Sequence, residues 1–157
     1  MSANAVAVVA GVGITKPMYE HWATIERAHG AAGNAGQRAL GFLITYGWVL
    51  GEAAARHITV SEAKLKQRLT ELDTQSFPKP GSLQRFMVST GETEADLEAI
   101  LRVGLLKNQI AAKITAGDAG PKATEALAAF QKAFQAHWKR YTTCAKGYVM
   151  EDCSEHR

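Results

Sequence analysis

Charge is nowhere concentrated in this sequence. Lys and Arg number 18 against 15 Asp and Glu, a formal net charge of +3, and the basic residues are spread along the chain. A nucleic-acid-binding surface needs a basic stripe, with aromatic rings for stacking if it takes single strands. Neither is present, so no nucleic acid is expected as a partner. Long apolar runs are missing too. The longest internal stretch free of formal charge, Ala39 to Gly51, falls short of the roughly 20 apolar residues that span a bilayer. It reads as a buried helix, and no transmembrane segment is expected. The first fifteen residues, MSANAVAVVAGVGIT, are apolar but lack the basic start of a secretory signal, so no signal peptide is expected in the sequence as written.

Cysteine is scarce. Cys144 and Cys153 are the only two, and a zinc site would need a second pair at closer spacing. His156 would add one ligand and leave such a site incomplete. A disulfide closing a loop of about ten residues, worth roughly 2.5–3 kcal/mol by loop entropy, is favoured over two free thiols. A bridge would place the protein outside the reducing cytosol.

Sequences that carry chemistry are also missing. There is no G-x-S-x-G and no G-x-x-x-x-G-K-[ST], and Gly11-Val12-Gly13 lacks the third glycine and the later acid of a dinucleotide site. Of the five histidines, His21 and His29 would lie two turns apart on one helix, roughly 12 Å along its axis, too far to share a metal. His57 and His137 stand alone near helix ends or edges. A structural or solvated role is expected for each, since a site needs convergent partners. A di-iron bundle would need several inward carboxylates, whereas the expected interior positions here are apolar. No metal, cofactor or catalytic residue is expected.

What is present is the composition of a folded domain: 46% apolar and 21% charged residues, far from the signature of disorder. Residues Ala5 to Val12 are small and β-branched, which predicts a short strand followed by a glycine turn. Thr15 ahead of Lys16-Pro17 predicts a capped helix to about His29, with Met18, Trp22 and Ile25 on one face. Gly30 to Gly36 forms a connector. The segment from about Gln37 to His57 is apolar nearly all round, marking a central helix, with Gly41, Gly47 and Gly51 as flat places for neighbours to approach. Ser61 caps a third helix that ends before Phe77-Pro78-Lys79-Pro80-Gly81. Ser82 is expected to cap a short fourth helix holding Leu83, Phe86 and Met87, stopped at Gly91. Thr93-Glu94-Ala95-Asp96 has the form of a capping box and opens a fifth helix, closed by Gly117 to Pro121. A sixth, about Lys122 to Thr142, places Leu127, Phe130, Phe134, Trp138 and Tyr141 at near-helical intervals and needs a partner surface. Gly147 to Met150 is expected to form a strand pairing with the N-terminal one. The expected fold is all-α, six helices with a minor two-stranded β element joining the termini, as a single domain over 1–157.

The order of Gly-Val-Gly-Ile-Thr-Lys, Tyr19-Glu20-His21-Trp22, Gly47-Trp48-Val49-Leu50-Gly51-Glu52 and Val60-Ser61-Glu62-Ala63 resembles the N-terminal module of SurA/PrsA-type peptidyl-prolyl isomerase foldases. Further on, Phe77-Pro78, Leu83-Gln84-Arg85-Phe86, Ser89-Thr90-Gly91, Thr93 to Leu97 and Leu105-Leu106 are similar to that family's later helices. Phe130, Phe134, Trp138, Thr143-Cys144, Gly147-Tyr148-Val149 and Asp152-Cys153 look like the tail of its actinobacterial-type members. Catalytic members carry a parvulin domain between the fifth and last helices. Here only Gly117 to Pro121 stands in that place, with the last helix and the cysteine loop, 122–157, completing the module. The resemblance therefore implies an extracytoplasmic chaperone module without isomerase catalysis. It would bind unfolded or nascent secreted polypeptides, with Met18, Trp22, Phe86 and Met87 either lining a client groove or filling the core. The alternatives are a structural or oligomerisation module, a homodimer formed by helix exchange about the Gly30–Gly36 hinge, or a residual isomerase.

Overall fold

The computed structural model describes residues 4–154, so His156 lies outside the described residues. The chain is mostly helical. Two strands, β1 (Ala5–Val9) and β2 (Val12–Thr15), precede α1 (Lys16–Ala28) and α2 (Ala35–Ala55). Then come α3 (Glu62–Ser76), α4 (Ser82–Thr90), α5 (Glu94–Thr115), α6 (Pro121–Lys139) and β3 (Thr142–Cys144).

The β element has three strands, in the order β2-β1-β3 and antiparallel throughout. This corrects the expected two-stranded pairing. Ala10 and Gly11 both have positive φ, which closes a two-residue hairpin whose twist matches its strands. Gly13 sits inside β2 instead of making the turn. The third strand comes from Thr142–Cys144, where Ala7 faces Cys144 and Val9 faces Thr142, so Gly147–Met150 is not the pairing segment. The reason lies in Thr142. Its buried hydroxyl accepts the Trp48 indole N–H at 2.7 Å and donates to the Trp138 carbonyl at 2.9 Å. That bond pattern turns the chain out of α6 and into the sheet before the expected end of the helix.

Local chemistry sets the helix starts. Thr15 caps α1 through the Met18 N–H, and Ser61 caps α3 through the Lys64 N–H. Thr93 and Asp96 form a full capping box on α5. The start of α4 differs from expectation. Gly81, at φ 72°, occupies the cap, and Ser82 is the first helical residue. The left-handed turn after Pro80 requires the residue without a Cβ, and the Ser82 hydroxyl is buried without a partner among the described residues.

Helix α2 is the axis of the core. Leu40, Leu43, Ile44 and Trp48 pack with Val6, Val9, Trp22, Ile25 and Trp138. Val49 and Ala53 pack with Val103, Leu106 and Ile110 of α5. The glycines of α2 are approached closely, though not by helices alone. A Cβ on Gly47 would stand 2.9 Å from the Val9 side chain of β1, and one on Gly41 would meet Met150 of the C-terminal loop at 3.4 Å. Helical residues are the neighbours at Gly36, which meets Tyr19 of α1, and at Gly51, which meets Trp138 of α6.

Candidate functional site

The four residues expected to line a groove take different positions. Trp22 is buried, its ring 4.3 Å from that of Phe42. Met18, one turn earlier on α1, is exposed. Phe86 and Met87 of α4 are half-buried, and Phe86 packs on Phe77 and on His29 at the far end of α1. Helical rise puts residues 18 and 29 roughly 16 Å apart along the axis. Trp22 is core, and Phe86 sits at the opposite end of α1 from Met18.

The histidines of α1 are paired with acids. His21 Nε2 donates to Asp96 at 2.8 Å, and His29 Nε2 to Glu92 at 3.3 Å. Both carboxylates are buried, and Glu92 also accepts the Thr90 hydroxyl. These contacts pin α1 to the start of α5. Burial raises the Asp96 pKa, but bonds from the Thr93 N–H and hydroxyl and from His21 outweigh it, holding the carboxyl below the usual range. Glu26-Arg27-Ala28-His29 has the E-x-x-H spacing found in some metal sites. Its two ends diverge, since Glu26 pairs with Arg38 of α2 and His29 with Glu92. No group of three or more His, Cys, Asp or Glu among the described residues is placed to hold a metal ion.

Cys144 and Cys153 form a disulfide, with Cα atoms 5.7 Å apart, and both are buried in the core. The loop between them packs inward: Tyr148 meets Tyr19 edge-on at 5.1 Å, and Met150 covers Gly41.

An apolar hollow lies elsewhere, between α2, α5 and α6. It has a volume of about 430 Å³. Trp48, Val49 and Ile110 are buried at its floor, while Leu127, Phe130 and Phe134 of α6 form a half-buried wall. Asn108, Gln131 and Gln135 stand exposed on its rim. Asp152, next in sequence to Cys153 of the disulfide, also lines it. Helix α6 is tied to α2 by two contacts that share one ion pair. The Trp138 indole N–H donates to Glu52, Glu52 also takes Arg56, and the Arg56 guanidinium stacks 5.2 Å over the Phe130 ring.

Sequence reasoning identified Phe130 and Phe134 as needing a partner surface but missed the cleft they form with α5. Its signal was the Leu127, Phe130, Phe134 stripe beside Gln131 and Gln135, one amide row next to one apolar row on the same helix. A second hollow lies between α3 and α5, where exposed Arg68 holds the Glu71 carboxyl below its ordinary range. Among the described residues, no helix is long and apolar enough to cross a membrane. No family model, no curated protein and no solved structure matches the chain.

Proposed function

We propose that this chain is an ATP-independent holdase that binds unfolded or partly folded secreted polypeptides outside the cytosol and carries out no isomerisation. The observation that carries this reading is the cleft between α2, α5 and α6. Its floor and wall are apolar, it opens to solvent, and no side chain of the described residues fills it. A shallow apolar cleft of that size shields a short apolar segment by taking it out of water, and it does so without sequence specificity. Such binding needs neither a nucleotide nor a covalent step.

Two further observations support it. The resemblance to the chaperone module of SurA/PrsA-type foldases points to clients of this kind. In place of an inserted parvulin domain, only residues 116–120 connect α5 to α6. The disulfide is compatible with an oxidising, extracytoplasmic compartment.

The test is light scattering from a chemically denatured client diluted into increasing amounts of the protein. Suppression of aggregation near stoichiometric ratios supports the holdase. No suppression with several unrelated clients contradicts it, and a mass that rises with concentration would then favour an oligomerisation module. Acceleration of a prolyl peptide in a coupled cleavage assay would contradict the non-catalytic reading.

A further inference from the structure

We propose that the α2/α5/α6 cleft reads the backbone of an extended peptide, through a rim of side-chain amides, while its floor takes one or two apolar side chains. This inference rests on the holdase reading and names the site and the means of recognition.

The rim of the cleft carries side-chain amides. Asn108 of α5 and Gln131 and Gln135 of α6 line it, and none of the three makes a side-chain hydrogen bond to another described residue. Each carboxamide offers two N–H donors and one carbonyl acceptor, the same groups that a peptide bond presents in complement. Gln131 and Gln135 are one turn apart, about 6 Å along α6. That is close to the repeat of alternate residues in an extended chain, roughly 6.6–6.8 Å. Two amides at that spacing meet successive outward-facing peptide groups of one strand-like segment.

The floor completes the match. Trp48, Val49 and Ile110, walled by Leu127, Phe130 and Phe134, accept the side chains that such a segment points inward. The volume of about 430 Å³ lies toward the small end of ligand sites, which run roughly 300–1,000 Å³. It admits a short segment and excludes a folded domain. The charged groups lining the cleft are one of each sign, Lys107 and Asp152, so neither a phosphorylated ligand nor a polycation is matched.

The experiment uses the intact protein and a dye-labelled, end-blocked hexapeptide of alternating leucine and serine, followed by fluorescence anisotropy. A second peptide has the same side chains with its serine amides N-methylated. N-methylation is expected to weaken binding about tenfold, as losing backbone hydrogen bonds implies. The Gln131→Ala/Gln135→Ala double variant is expected to weaken the first peptide by a similar factor and to stop distinguishing the two. Both glutamines are exposed, so the variant folds as the parent does, and its unchanged binding of a non-peptide apolar dye confirms an intact floor. Equal affinity for both peptides, or a double variant that binds as tightly as the parent, would overturn the proposal. So would a dimer that the peptide disperses, which would give the cleft to a second copy. If the proposal is overturned while the parent still suppresses client aggregation, only the site assignment falls. Peptide binding without suppression would keep the site and remove the holdase.

Discussion

The indole of Trp138 lies against the bare α-carbon of Gly51, so closely that a Cβ there would fall far inside van der Waals contact with the ring. The same indole donates its N–H to Glu52, the next residue of α2, at 2.9 Å. One aromatic side chain thus fixes both the separation and the register of α6 on α2, and so the shape of the cleft between them. The ring cannot retreat without breaking that bond and exposing a buried surface.

Gly51→Ala therefore destabilises the fold, although alanine is ordinarily the better helix former. A cost of about 1–3 kcal/mol is expected, the usual range for overpacking. It would be read as a lower urea midpoint with an unchanged slope. Gly104→Ala on α5, where an added Cβ meets nothing, is the control and is expected to be neutral or stabilising.

The capping box on α5 makes stability depend on acid. The folded-state pKa of Asp96 is depressed, so the stabilisation that its carboxylate provides is complete above the unfolded value, about 3.9. It is lost as pH falls through the lower, folded value. Asp96→Ala is expected to cost about 1–2 kcal/mol near neutral pH. The difference from the parent should shrink below about pH 4. A gap that stays constant down to pH 2.5 would show that the carboxylate's charge is not the source.

Intact mass after alkylation without reductant should show no label on Cys144 or Cys153. Replacing both with alanine should cost at least the loop-closure contribution of about 2.5–3 kcal/mol, since both residues are also buried in the core. Two labelled thiols in the untreated protein would contradict the bridge.

Trp48→Phe tests the link between the sheet and the core. It keeps most of the apolar volume but removes the N–H that Thr142 accepts at 2.7 Å in a buried position. A loss of about 1–3 kcal/mol is expected, since the hydroxyl keeps its bond to the Trp138 carbonyl but its buried oxygen loses the donor it accepted. Trp48→Phe combined with Thr142→Val should lose less than the two single changes added together.

Where the sequence was informative, the reason was local. A capping side chain needs only the N–H three residues on, so Thr15, Ser61 and Thr93 each mark a helix start correctly, and Pro78-Lys79-Pro80-Gly81 marks a break. The charge-free stretch Ala39–Gly51 identifies the central helix, because only a helix surrounded by others tolerates apolar residues on every side. What could not be read depends on partners distant in the chain. His21 and Asp96 are 75 positions apart, and nothing near either residue signals the other. The choice of Thr142–Cys144 over Gly147–Met150 as the third strand rests on a hydroxyl that bridges two tryptophans. The amide-rimmed cleft depends on how α6 is laid against α5, a packing angle that the stripe on α6 alone does not define.

The most direct test of the account is client aggregation followed by light scattering, with the parent compared against Leu127→Glu at equal concentration. Leu127 is a half-buried residue of the cleft wall, so a charge there spoils the apolar surface while the core remains packed, as an unchanged helical circular dichroism spectrum would confirm. The account predicts suppression near stoichiometric ratios by the parent and a loss of roughly tenfold in potency for the variant, from about 1.4 kcal/mol of lost apolar binding. Equal potency of the two proteins, or no suppression by either, would contradict it.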